Sequence, residues 1–264
     1  MSAELAVMEL TALLRAGTTA RNAREQFQVA NLSRFQQQQF YFIWTVATDS
    51  GGALAKGLDR LASVFAQQNR QLAELKIAFA SPKATANLIL VLPLLAVLFS
   101  ELLGLSALAA SFSTSLGAVS VGIGLILLIV ARVSSLRMLE TAKPRELDPG
   151  AFLDAISIAL SAGLNPKSAA AMANSRFSQT LLEEVPPEQW LIFWEAVKAS
   201  EQSGIALNGL LAARADSLRY RMWNNHKEVI SRLQIKLMIP LGLAALPAFV
   251  LLAVVPVGIG LFSS

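Results

Sequence analysis

ATANLILVLPLLAVLFSELLGLSALAASFSTSLGAVSVGIGLILLIVA, residues 84–131, carries a single formal charge, Glu101. A helix crosses a bilayer in about 20 residues, so this stretch is long enough to cross twice. It reads as a transmembrane hairpin (83–133), and the rest of the chain is ordered around it. One charged, helix-patterned segment precedes it (1–82) and another follows (134–236). A last uncharged run, Leu237 to Phe262, supplies a third span within 237–264. The expected fold class is an all-α membrane protein with two repeated antiparallel helical bundles and three transmembrane helices.

The charges orient this plan. Only 15% of the 264 residues are charged and 54% are hydrophobic, where an ordinary soluble domain has about a quarter charged. All 22 Lys and Arg fall within 1–83 or 132–236. Lys76 and Lys83 precede the first span, Arg132, Arg137, Lys143 and Arg145 follow the second, and Lys227, Arg232 and Lys236 precede the third. Cations near span ends stay on the cytoplasmic side. The N-terminus and both bundles are therefore expected in the cytoplasm, anchored in the cytoplasmic (inner) membrane, with the hairpin turn and the C-terminus outside. The net charge of +4 does not point to nucleic acid, because acidic residues are mixed among the basic ones and form no patch with exposed aromatics. The chain has no cysteine, which excludes disulfides, thiolate catalysis and Cys-ligated metals. MSAELAVMELTALLRAG, with Glu4 and Glu9 inside its apolar residues, reads as an amphipathic helix rather than a signal peptide.

In the first segment, spacing over 3–16 places Leu5, Met8, Ala12 and Leu13 near one face, with a stop at Gly17. Thr18 or Thr19 can cap a second helix to Gln28. A third, from about Phe35 to Thr48, carries Phe40, Tyr41, Phe42 and Trp44 as a packing face. Asp49-Ser50-Gly51-Gly52 breaks the chain, since paired glycines permit angles a helix forbids. A long helix then repeats Leu54, Leu58, Leu61, Phe65, Leu72, Leu75 and Phe79 on one stripe, as an antiparallel bundle requires.

Within the hairpin, a charge at the bilayer centre costs roughly 2.5–3.5 kcal/mol. Glu101 therefore belongs at the outer interface, with a turn over Ala107 to Ser115, unless it is a buried functional carboxylate. Ser120 and Gly124, four residues apart, offer a small-residue face for span packing.

The second segment repeats the first. A helix opening at Asp148-Pro149 ends at Ala162-Gly163, as the chain's first helix ends at Ala16-Gly17. Asn165-Pro166 provides a cap and a first helical residue, and Pro186-Pro187 starts a helix bearing Trp190, Phe193 and Trp194. Then ASEQSGIALNGLLA (199–212) can be laid beside ATDSGGALAKGLDRLA (47–62). Ala47, Asp49, Gly52, Gly57 and Leu58 fall on Ala199, Glu201, Gly204, Gly209 and Leu210. The following helix spaces Leu207, Leu211, Leu218, Met222, Val229 and Leu233 like its counterpart, and Pro247 stands where Pro93 stands. Both copies comprise four helices and a span.

The acidic-x-(Ser/Gly)-Gly turn followed by Gly-Leu, the Leu-x-x-Gly helix end and the order unit, hairpin, unit, span resemble the F-domain family of type II secretion. That family includes the platform proteins of type IV pili and of tight-adherence (Tad) pili. The likeness spans about 3–80 and 150–250, and the short chain looks closer to the tight-adherence or actinobacterial branch. Asp49 stands where the family more often has Glu. The resemblance implies an inner-membrane platform without catalysis of its own. It implies as partners a hexameric cytoplasmic secretion ATPase, pilin subunits and a second F-domain platform protein, in an oligomer surrounded by membrane lipid.

Nothing in the sequence supplies catalysis, a metal site or a cofactor site. His226 is the single histidine, and zinc needs three or four protein ligands. There is no GxxxxGK[ST] loop for ATP and no Ser-His-Asp set. Glu183, Glu184, Glu188 and Glu195 lie near a helix start, where anions favour the dipole. Two readings stand for the motif turns, Asp49, Gly51, Gly52, Glu201, Ser203 and Gly204: a docking surface for a basic face of the ATPase, or helix capping alone. A transporter or channel subunit is the alternative function, although it should carry more intramembrane polar groups than Glu101. An intramembrane enzyme would need paired catalytic groups at bilayer depth, and the sequence provides none.

Overall fold

The computed structural model describes residues 2–27, 32–51, 54–102, 112, 114–142, 148–181 and 183–263. Their regular structure is helical throughout: α1 (Ala3–Arg15), α2 (Ala20–Gln26), α3 (Arg34–Asp49), α4 (Leu54–Leu102), α5 (Ser115–Thr141), α6 (Ala151–Ser161), α7 (Pro166–Leu181), α8 (Pro187–Ser203), α9 (Leu207–Phe249), a π-helical stretch Val250–Val254, and α10 (Val255–Ser263). The chain divides into two compact units, Met1–Ala73 with Arg145–Asn224 and Glu74–Pro144 with Asn225–Ser264.

Local chemistry fixes the helix ends of the first unit. Ser2 and Thr19 accept the N–H groups of Leu5 and Asn22 and so cap α1 and α2. Ser33 and Gln36 form a reciprocal capping box at the start of α3, with bonds of 3.2 and 3.1 Å. Asn165 caps α7, accepting from the Ser168 N–H at 2.9 Å, and Pro166 and Pro187 open α7 and α8. Gly17 (φ +91°) and Gly163 (φ +90°) end α1 and α6 in the left-handed region that glycine tolerates.

One apolar core fills this unit and draws on both segments of the chain. Val7, Leu10, Phe40, Phe42, Leu58 and Phe65 come from the first; Phe152, Leu153, Ile156, Phe193 and Leu211 come from the second. Helix α3 packs on α6 and α7. There Phe42 meets Phe177 edge-on at 5.5 Å, and Phe177 meets Phe152 at 6.2 Å, an arrangement aromatic pairs favour. Phe40, Phe42 and Trp44 are thus packing residues, as their spacing indicates.

The face of α1 differs from the sequence expectation. Ala3, Ala6, Val7 and Leu10 are buried, while Leu5 (54%) and Met8 (51%) are exposed. Both stripes have helical spacing, but the Leu5 stripe also carries Glu9, whose charge would have to be buried with it. The uncharged stripe goes inward instead. Similarly, Leu72 and Val229 on the two long helices lie outside the buried stripe.

The second unit comprises α4 from Glu74, α5, α9 from Asn225, the π-helical stretch and α10. Among the described residues three helices, beginning at Leu54, Ser115 and Leu207, are long and apolar enough to cross a membrane. Their buried seam holds Ala86, Leu90, Leu128, Ala131, Leu237, Leu241, Ala248 and Leu252. Outward they present Leu88, Leu98, Phe99, Ile126, Ile129, Leu243 and Leu246, the surface lipid would cover. Thr114 caps α5, accepting from the Gly117 N–H at 3.2 Å. The remainder of the expected external turn, Ala107 to Ser115, lies mostly outside the described residues.

Candidate docking end and its buried ionic support

The two motif turns close α3 and α8. After α3, Gly51 adopts φ +67°, and after α8, Gly204 adopts φ +70°. The second turn is laced by serines. Ser203 Oγ donates to the Ala199 carbonyl at 2.6 Å and accepts from the Ile205 N–H at 3.4 Å, and Ser200 Oγ donates to the Ile205 carbonyl at 2.6 Å. Asp49 pairs with Arg176 at 2.6 Å, with both side chains over a third exposed. Glu201 is exposed and has no ion pair among the described residues. Gly52 lies outside them.

The two left-handed glycines are spaced one residue differently from the sequence alignment of the two segments. Gly204 corresponds to Gly51, not Gly52, and α4 and α9 begin the same distance later, at Leu54 and Leu207. In this register buried Leu58 falls on buried Leu211, Ala62 on Ala215, Phe65 on Leu218 and Phe40 on Phe193. Asp49 then falls on Gln202 rather than Glu201. Backbone handedness and burial are in step at this spacing, whereas the identities that suggested the other register are small, common residues.

Both turns stand at one end of the first unit. Each feeds a helix whose first turns flank the C-terminal half of α6. A Cβ on Gly57 of α4 would lie 3.2 Å from Ile158, and the Asn208 carbonyl of α9 accepts from Ser157 Oγ at 2.9 Å. A cleft lined by Lys56, Arg60, Asp154, Ser157, Ser161 and Ala212 opens there.

The floor of that cleft leads into a buried ionic cluster that sequence reasoning missed. Arg219 makes two 2.8 Å bonds to Asp148 and one of 2.6 Å to Asp154, with all three side chains under 10% exposed. Arg60, from the first segment, donates to Asp154 at 3.0 Å, to Asp216 at 2.6 and 3.0 Å and to the Ala212 carbonyl at 3.2 Å. Gln39 donates to Asp148 at 2.8 Å, and Gln68 donates to Gln39 at 3.3 Å. Gly150 makes room for the cluster, since a Cβ there would lie 2.8 Å from the Arg219 guanidinium carbon and 2.9 Å from the Ala215 carbonyl.

Three carboxylates face two guanidiniums, so one negative charge is left over. Burial raises the Asp154 pKa, only partly offset by Arg219 and Arg60, with Asp148 adding to the rise. Burial works against the charge on Arg219, but Asp148 and Asp154 outweigh it and raise its pKa. The cluster ties α3 and α4 to α6 and α9 by directional bonds, which apolar packing alone does not supply. One local signal was present: Asp154 is the only charge inside the apolar run AFLDAISIAL.

In the second unit, Gly124 and Ser120 are buried on α5. Leu252, in the π-helical stretch, sits directly over Gly124, where a Cβ would lie 2.6 Å from its Cγ. Ser120 turns its hydroxyl back to the Gly117 carbonyl at 2.8 Å. No three His, Cys, Asp or Glu side chains gather as a metal set among the described residues.

No curated protein and no solved structure matches the chain. Residues 4–100, which include α2, α3 and most of α1 and α4, match the family model for type II secretion system (T2SS), protein F. Over residues 4–100 the chain is therefore similar to the type II secretion system protein F family.

Proposed function

We propose that this protein is the membrane platform of a type II secretion or type IV, Tad-like pilus assembly machine, coupling a cytoplasmic ATPase to the extrusion of pilin subunits. The match of residues 4–100 to the protein F family carries this reading. Two further observations support it. The second segment repeats the helix order of the first, with left-handed glycines and buried residues in step, as expected of a second F-like bundle. The two segments also share one core, which favours both lying on the same side of the membrane, and the cation distribution favours the cytoplasmic side. The platform has no catalytic residue in this account, works as an oligomer, and has a hexameric secretion ATPase, pilins and a second F-domain platform protein as partners. Capture of the complex from native membrane tests it: the ATPase and small pilins should copurify, and their consistent absence counts against the reading.

The end bearing both turns is the proposed ATPase-docking surface, with Glu201 as its exposed carboxylate and Asp49 beside Arg176. An exposed ion pair such as Asp49–Arg176 contributes about 0–1 kcal/mol. The double variant Asp49→Asn/Glu201→Gln should therefore melt within a few degrees of wild type while recovering several-fold less ATPase. Unchanged recovery and unchanged pilus assembly would retire the docking role and leave these residues as helix caps.

A further inference from the structure

We propose that the second unit holds anionic phospholipid headgroups in a collar of cations contributed by its three long helices. The proposal rests on reading those helices as membrane spans and is independent of the platform role. Lys83 on α4, Arg132 and Arg137 on α5 and Lys236 on α9 are all exposed. The ion pairs among the described residues of this unit, Lys227–Glu74 and Arg232–Glu228, involve none of them.

Three contacts place these cations within about two turns of one another along the helix axes. Arg132 donates to Asn87 at 2.5 Å, which sets α5 against α4 in antiparallel register and brings Lys83 opposite the residues just before Arg137. Leu252 against Gly124 sets α5 against the third span, and Lys227 to Glu74 at 3.2 Å sets α9 beside α4 in the same sense. Combined, they put Lys236 within about a turn of Lys83 along the axis, or roughly 6 Å at 1.5 Å per residue. Arg132 stands about one turn deeper. All three helices thus present positive charge where their apolar surfaces begin.

The surface immediately to the membrane side identifies the occupant. Leu88 (66% exposed), Ile129 (62%) and Ile239 (61%) lie within about a turn of Asn87, Arg132 and Lys236 on their own helices. A phosphodiester seated among the cations would direct its acyl chains along these side chains. One glycerophospholipid therefore satisfies both halves of the surface, whereas free phosphate satisfies only the first.

Equilibrium binding of fluorescent phosphatidylglycerol and phosphatidylcholine to the full-length protein in neutral-detergent micelles tests this. Wild type should prefer the anionic lipid by about tenfold or more, and the variant Lys83→Gln/Arg137→Gln/Lys236→Gln should lose most of that preference, since each surface cation is worth roughly fivefold. The single variant Lys236→Gln, the milder change, should lose about fivefold. Raising the salt should weaken the wild-type preference, as screening requires. Equal binding of the two lipids by wild type, or an undiminished preference in Lys236→Gln, overturns the proposal. Displacement of the anionic lipid by millimolar inorganic phosphate would overturn its assignment to a lipid.

Discussion

Replacing Arg219 with Met is expected to destabilise the protein more than any other single change discussed for the first unit. The substitution leaves Asp148 and Asp154, both under 5% exposed, buried without the guanidinium that pairs them. Removing one partner of a buried ion pair costs about 3–5 kcal/mol, most of it from the charge left behind. For a unit of this size that corresponds to a melting temperature lower by roughly 10 °C, measured in detergent.

Asp154→Asn should behave differently. Burial raises the Asp154 pKa and so works against its charge, a charge that Asn does not carry, and Arg219 and Arg60 retain Asp148 and Asp216. The cost should be well below that of Arg219→Met. The pH dependence has a definite sign. A carboxyl whose folded pKa lies above its ordinary 3.8 contributes stability below that value and loses it as pH rises through the folded pKa. Relative to wild type, Asp154→Asn should therefore gain stability as pH rises above that ordinary value toward the raised folded pKa. An Asp154→Asn protein as unstable as Arg219→Met, with the gap widening toward neutral pH, would contradict this description of the cluster.

Gly124→Val is the second large effect, and it belongs to the membrane unit. Because Leu252 occupies the space a Cβ would need, with its Cγ at 2.6 Å, α5 and the third span must separate or Leu252 must leave its rotamer. Overpacking of this kind costs about 1–3 kcal/mol. The diagnostic is rescue: Leu252→Ala in the Gly124→Val background should restore much of the loss, although Leu252→Ala alone creates a cavity and destabilises. A double variant that melts as low as the two losses added together would show that the two residues do not share that space.

What the sequence made legible was local. A stretch with one charge in 48 residues cannot be stable in water without extensive cover, so two helices apolar enough to cross a membrane were readable directly from Ala84 to Ala131. Gly17, Gly163, Asn165-Pro166 and Pro187 announced helix ends because each acts on its own backbone. The ionic cluster was hidden because its partners are distant in the chain: nothing near Arg60 indicates that it will meet Asp216. The choice between the two stripes of α1 depended on which neighbour supplied the core, and spacing does not encode that. For the same reason the joining of the two segments in one core could not be read from the sequence. Of the candidate site residues, Gly51 and Gly204 declared themselves through glycine's backbone freedom, whereas the acidic match of Asp49 to Glu201 came from a register one residue out.

Residues 1–73 and 145–224 contribute to a single core, and the proposed platform places both on one side of the membrane. The cysteine-free chain suits a direct measurement, labelling of single-cysteine variants with a membrane-impermeant maleimide in vesicles of both orientations. Glu9→Cys and Glu195→Cys, both at exposed positions, should react together, only in vesicles that expose the cytoplasmic face. Reaction of these two positions from opposite faces would dismantle the shared core and the platform built on it.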